Sequence, residues 1–128
     1  MEPDTSLRNH DTIHVPGNIV AAGTLPWNPH PKFAGVSLRH LMTGKETGNR
    51  ISLHHVRIDP GCSIGDHTHA GQVEIHDVLA GSGSCVLDGQ TIPYRPGVAA
   101  VMPADTVHRV DAGDEGLLLL ATFSPPLV

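Results

Sequence analysis

The chain has 128 residues, 39 % hydrophobic and 3 % aromatic, enough for one domain with a Val, Leu, Ile and Ala core but too few for two. Its formal charge of −5, with eight Lys and Arg scattered along it, offers no basic surface to nucleic acid or to an anionic membrane. No run is long enough to span a bilayer and no charged-then-apolar leader is evident, so a cytoplasmic protein is expected.

Fourteen Gly and eleven Pro interrupt nearly every window long enough for a helix, and the expected class is all-β. Within residues 1–33, HDTIHV reads as a short strand, and Pro-rich GTLPWNPHPKF is extended and presents Trp27 and Phe33 for packing. His10, His14 and His30 fall there and read as solvated or capping side chains. Residues 35–42 form a strand, residues 43–49 a polar turn, and residues 51–59 a second strand. That second strand has two possible inner faces, His55 with Arg57 or His54 with Val56 and Ile58, and its alternation does not choose. If His55 and Arg57 face inward, Arg57 is placed to clamp a substrate carboxylate.

After Pro60-Gly61 comes a hairpin in which His67 and His69, two apart on extended chain, share a face. Ala70-Gly71 turns it, and residues 73–79 return carrying Glu74. Turns are expected at residues 81–83 and 112–116, and Asp88-Gly89 marks a tight hairpin. Residues 98–102 form a buried strand, and residues 106–110 one that brings in His108. Two imidazoles and a carboxylate, with His108 as the fourth ligand, make a site for a divalent transition metal. His76 shares the parity of Glu74, roughly 6–7 Å along the strand. There it serves as a catalytic acid/base or hydrogen-bond donor to substrate, or else as a partner behind the ligands. Cys62 and Cys85 read as free thiols in the core, although Cys62 lies close enough to His67 for a ligand or redox role. The last strand, residues 117–123, is apolar on both faces and asks for cover from a second copy, so a homodimer is expected.

Gly61, His67, His69, Glu74 and Gly81 match every position of the first motif of the cupins, and Gly97, Pro103 and His108 match their second. Asp105 replaces a usual glycine there and Ala112 a usual asparagine; Asp tolerates a left-handed turn and the asparagine is not a ligand. The chain thus resembles a small single-domain cupin. The resemblance implies a jelly-roll β-barrel over residues 34–128 behind an extended arm, residues 1–33. Inside it His67, His69, Glu74 and His108 hold one metal. Six-coordinate iron or manganese is favoured, because four protein ligands would close a tetrahedral zinc site; nickel, cobalt, copper and zinc are alternatives.

Cupins carry many reactions, and fold alone does not select one. The first expectation is a dioxygenase or decarboxylase-like enzyme acting on a small polar organic acid or carbonyl compound. Retention of Glu74 argues against a thiol dioxygenase, which by resemblance uses three histidines. The alternative is a non-catalytic barrel that binds a small sugar or acid. A sugar-phosphate isomerase is disfavoured by the scarcity of Arg and Lys near the motifs.

Overall fold

Ten short and long strands succeed one another in the structure, a computed structural model that describes residues 10–128; residues 1–9 of the expected arm lie outside them. They are β1 (Thr12–Val15), β2 (Asn18–Ala21), β3 (Asn28–Pro29), β4 (Val36–Met42), β5 (Ser52–Ile58), β6 (Ser63–His67), β7 (Val73–Leu87), β8 (Gln90–Tyr94), β9 (Ala99–Met102) and β10 (His108–Ser124). The all-β class is borne out. No helix among the described residues is long and apolar enough to cross a membrane.

β7 and β10 form an antiparallel ribbon that runs from His108 opposite Leu87 to Ser124 opposite Val73. One half of the ribbon carries β5, β4 and β3 on one side and β9 on the other. The other half carries β6 and β8. Val56, Ile58, Leu119 and Phe123 from the first half share one core with Ile64, Cys85, Tyr94 and Val110 from the second. The two halves therefore face each other as the walls of a jelly roll.

The turns expected at residues 81–83 and 112–116 are not turns. Both lie inside continuous strands, and the register slips between Ala112 and Leu117. Gly81 and Gly116 have φ of 85° and 73°, and a Cβ at Gly81 would collide with the Gly116 carbonyl. Glycine here lets two paired strands bend together, a task the sequence signal shares with chain reversal. Residues 106–107 also differ from expectation, preceding β10 rather than belonging to it. Asp88-Gly89 is the tight hairpin, with φ of 47° and 80°.

On β5 the buried Ser52, His54, Val56 and Ile58 point inward, and Arg57 is exposed on the outer face. Arg57 therefore clamps nothing inside the barrel. Its guanidinium and that of Arg39 lie 4.2 and 4.5 Å from the centre of the Trp27 ring, which also stacks on His55. The β1–β2 hairpin packs on the outer side of the sheet, where Ile13 and Ala22 meet Leu41 and Leu120. Part of the cover that the last strand demands is thus supplied by the chain's own hairpin. Full burial of a side chain such as Ile13 contributes about 2 kcal/mol.

Candidate metal centre

His67 ends β6 and sits directly opposite His108, the first residue of β10. His69 follows two residues after the end of β6, and Glu74 lies opposite Phe123 of β10 and Met102 of β9. Sheet pairing thus brings four side chains from three segments to one point. One donor atom from each of His67, His69, Glu74 and His108 lies within 4.8 Å of all the others.

Hydrogen bonds aim these donors. His67 Nδ1 donates to the Gly65 carbonyl at 2.7 Å, and His108 Nδ1 to the Thr106 carbonyl at 3.1 Å. Each ring, when neutral, is left with a lone pair on Nε2, the atom a metal takes. Glu74 Oε2 accepts from His76 Nε2 at 2.8 Å, which leaves Oε1 for the site. His69 Nε2 and His108 Nε2 each lie 3.3 Å from that Oε1, yet Glu74 Oε1 and His108 Nε2 are buried and make no directed hydrogen bond. Unpartnered buried atoms of this kind cost about 1–3 kcal/mol each. A cation between them removes the cost, so the donor set fits a divalent metal.

The charges agree. Burial alone would raise the Glu74 carboxyl, but His76, with His108 and His69, outweighs it and holds the group well below its usual range. Burial lowers His67 and so favours its neutral form. For His108, burial is outweighed by the Glu74 carboxylate and the Thr106 carbonyl, which raise it, so a metal at Nε2 competes with a proton there.

Three features around the candidate ligands take their partners from the tertiary structure. His76, 2 % exposed, also meets the Tyr94 hydroxyl through Nδ1 at 2.8 Å. It belongs to a buried Tyr94–His76–Glu74 chain and does not line the cavity beside the ligands. Asp105, at φ 63°, accepts from the Gly71 N–H at 3.1 Å and donates its own N–H to the His69 carbonyl at 3.0 Å. The residue that replaces the usual glycine therefore adopts the left-handed turn and ties the two ligand loops together. His30, read as a capping side chain, reaches the cavity wall.

That cavity, about 80 Å³, is walled by Leu38, Val56, Ile64, Phe123 and Leu127 with His30, and His67, His69 and Glu74 also line it. An outer vestibule of about 340 Å³ shares His30, Leu38 and Leu127 with it. Among the described residues no Lys or Arg lines either space. Another cleft, about 220 Å³ where Gly81 meets Gly116, lies away from the four candidate donors and is lined by Arg57, Asp59 and Glu115. Cys62 and Cys85 are free thiols and belong to neither the ligand set nor the cavity wall.

The cupin domain pattern matches residues 54–123, a span that contains all four candidate donors. The chain belongs to the cupin family. This cupin is similar to dimethylsulfoniopropionate lyase DddW of Ruegeria pomeroyi, with 32 % identity over 94 % of this chain and 84 % of that one. It is 28 % identical to the oxalate-binding protein of Thermotoga maritima over 69 % of this chain and 74 % of that one. Among solved structures, a predicted oxalate decarboxylase from Thermotoga maritima superposes with a TM-score of 0.76 at 23 % identity, covering 84 % of this chain and 98 % of that one. An RmlC-like cupin from Shewanella frigidimarina gives 0.74 at 16 % identity, covering 92 % and 96 %. At such identities the two structures speak for the jelly-roll barrel alone.

Proposed function

We propose that this cupin is a metal-dependent lyase acting on a small organic acid whose carboxylate completes the coordination of the metal held by His67, His69, Glu74 and His108. The observation that carries the reading is the pair of unpartnered buried atoms, Glu74 Oε1 and His108 Nε2, at the head of a small apolar cavity. Three imidazoles and one carboxylate suit iron or manganese, with nickel, cobalt, copper and zinc as competitors. When bound, the metal supplies Lewis acidity to the substrate carboxylate.

The chain's own residues do the rest. With no Lys or Arg among the described residues that line the cavity, the substrate's negative charge is met at the ligand cluster, a poor setting for a phosphate. Apolar walls exclude water. The Tyr94 hydroxyl donates to His76 Nδ1 and His76 Nε2–H to Glu74 Oε2, which fixes the carboxylate with Oε1 forward. His76 is thereby a positioning residue, the partner behind the ligands that strand parity also allows. Two relatives' names support a small carboxylate as substrate: dimethylsulfoniopropionate and oxalate are both small carboxylates. Similarity over 94 % of the chain to an enzyme named a lyase favours bond cleavage without oxygen. The binding reading has its own support, since apart from the candidate ligands His30 is the titratable side chain lining the cavity among the described residues, and one relative is named a binding protein.

The test loads metal-free protein with iron(II), manganese(II), nickel(II) or zinc(II). Each form is then offered dimethylsulfoniopropionate, oxalate and short hydroxy and keto acids under argon. Release of dimethyl sulfide or carbon dioxide supports the lyase. Turnover only in air, with oxygen consumed in step, replaces it by an oxygenase. Tight binding without turnover for every metal makes the protein a carrier or sensor.

A further inference from the structure

We infer that His30 is a substrate-binding residue, whose Nε2–H donates a hydrogen bond to the acid held at the metal. It rests on the reading of a small acid in that site. The ring stands at the neck: His30, Leu38 and Leu127 line both the inner cavity and the outer vestibule. Within the inner cavity the other walls are apolar, so apart from the ligands His30 holds the polar side chain that a second substrate oxygen meets.

Its chemistry follows from its bonds. His30 Nδ1 accepts the backbone N–H groups of Lys32 at 3.0 Å and Phe33 at 3.3 Å. A nitrogen that accepts is unprotonated, so the neutral ring carries its hydrogen on Nε2 and presents a donor. Burial, and then the Lys32 ammonium, lower the imidazole below its ordinary value and favour that neutral form. Capping therefore occupies one edge of the ring and leaves the other for a ligand.

The ring is also held still. Pro29 and Pro31 restrict the backbone on both sides, and the His30 N–H donates to the Val36 carbonyl at 2.8 Å. The ring packs 4.9 Å from Phe33, which in turn lies 6.3 Å from the His67 ring. A donor fixed before the ligand arrives loses little entropy on binding. The Pro-rich segment thus acts as a rigid bracket that carries a recognition group to the mouth of the barrel.

His30→Asn separates the two roles, because the Asn carboxamide oxygen can still accept from Lys32 and Phe33 while the donor at Nε2 is withdrawn. Calorimetric titration of manganese-loaded protein with oxalate and with dimethylsulfoniopropionate should show affinity reduced roughly ten- to hundredfold, with metal content and melting temperature unchanged. Equal affinity in the variant and the parent overturns the assignment to His30 and leaves the small-acid reading standing. If the parent itself binds neither acid, the small-acid reading falls and takes this one with it. Should the variant fold poorly, long-range ¹H–¹⁵N spectra of the zinc-loaded parent decide. An Nε2–H tautomer at His30 whose nitrogen signal moves on addition of oxalate supports the assignment. An Nδ1–H tautomer, or a signal that does not move, overturns it.

Discussion

His54 and His55 are neighbours in the chain, both fully buried, and both pushed by burial to about 4, yet they look into different worlds. His54 faces the barrel interior, its ring 5.6 Å from Phe123, which stands 5.2 Å from His69. His55 faces outward into a cluster of His10, Trp27 and Arg39. Beyond burial, His40 adds to the depression of His54 while Glu74 opposes it; for His55, Arg39 and then His10 add to it. Each face holds an unpartnered buried atom. Inside they are lone pairs on Glu74 Oε1 and His108 Nε2; outside it is the Arg39 Nε–H, a donor among cations that no metal can satisfy. Histidines gathered in a protein therefore do not by themselves make a metal site. The inner cluster is set apart by a carboxylate with one oxygen left free.

The comparison breaks most sharply at Glu74. Glu74→Gln should reduce bound transition metal from about one per chain to near none by elemental analysis, whereas His55→Leu should leave it unchanged. Retained metal in the first variant would undo the distinction between the faces. His76→Leu should cost about 2–3 kcal/mol in urea unfolding, since it strands Glu74 Oε2 and the Tyr94 hydroxyl, and should weaken metal binding by about 10–100-fold in competition with a chelating dye.

Smaller effects test the outer face. Trp27→Ala should destabilise by about 2 kcal/mol through lost stacking on two guanidiniums and His55, with unchanged metal content. Acid should act on both faces. A histidine lowered from 6.5 to about 4 takes up its proton in the unfolded chain first. Stability from this source is therefore complete above pH 6.5, declines as the pH falls toward 4, and His55→Leu should flatten that decline in denaturation midpoints. Least of all, Asp105→Gly should keep the left-handed turn and lose only the bond from Gly71, costing about 1 kcal/mol or less in thermal unfolding.

The all-β class was legible because Gly and Pro break nearly every helical window; local spacing marked His67, His69 and Glu74 as candidate donors, while His108, far along the chain, was marked by the second motif. Where the reading erred, one signal had two physical uses. Glycines at 81 and 116 mark a sharp bend in both a turn and a folded ribbon, and only pairing partners tell these apart. His30 reads in the sequence as a solvated or capping side chain, and it does cap, but the wall it forms with Leu38 and Leu127 comes from segments far apart in the chain.

The sequence by itself determined the all-β class, because Gly and Pro deny a helix its length, and the resemblance of its two motifs to the cupins marked the barrel and four candidate donors. Tertiary structure alone decided that His54 and not Arg57 enters the barrel, that Tyr94 stands behind His76, and that His30 guards the mouth. Those outcomes depend on which strand lies against which, and an alternating segment carries no mark of the surface its partner will present.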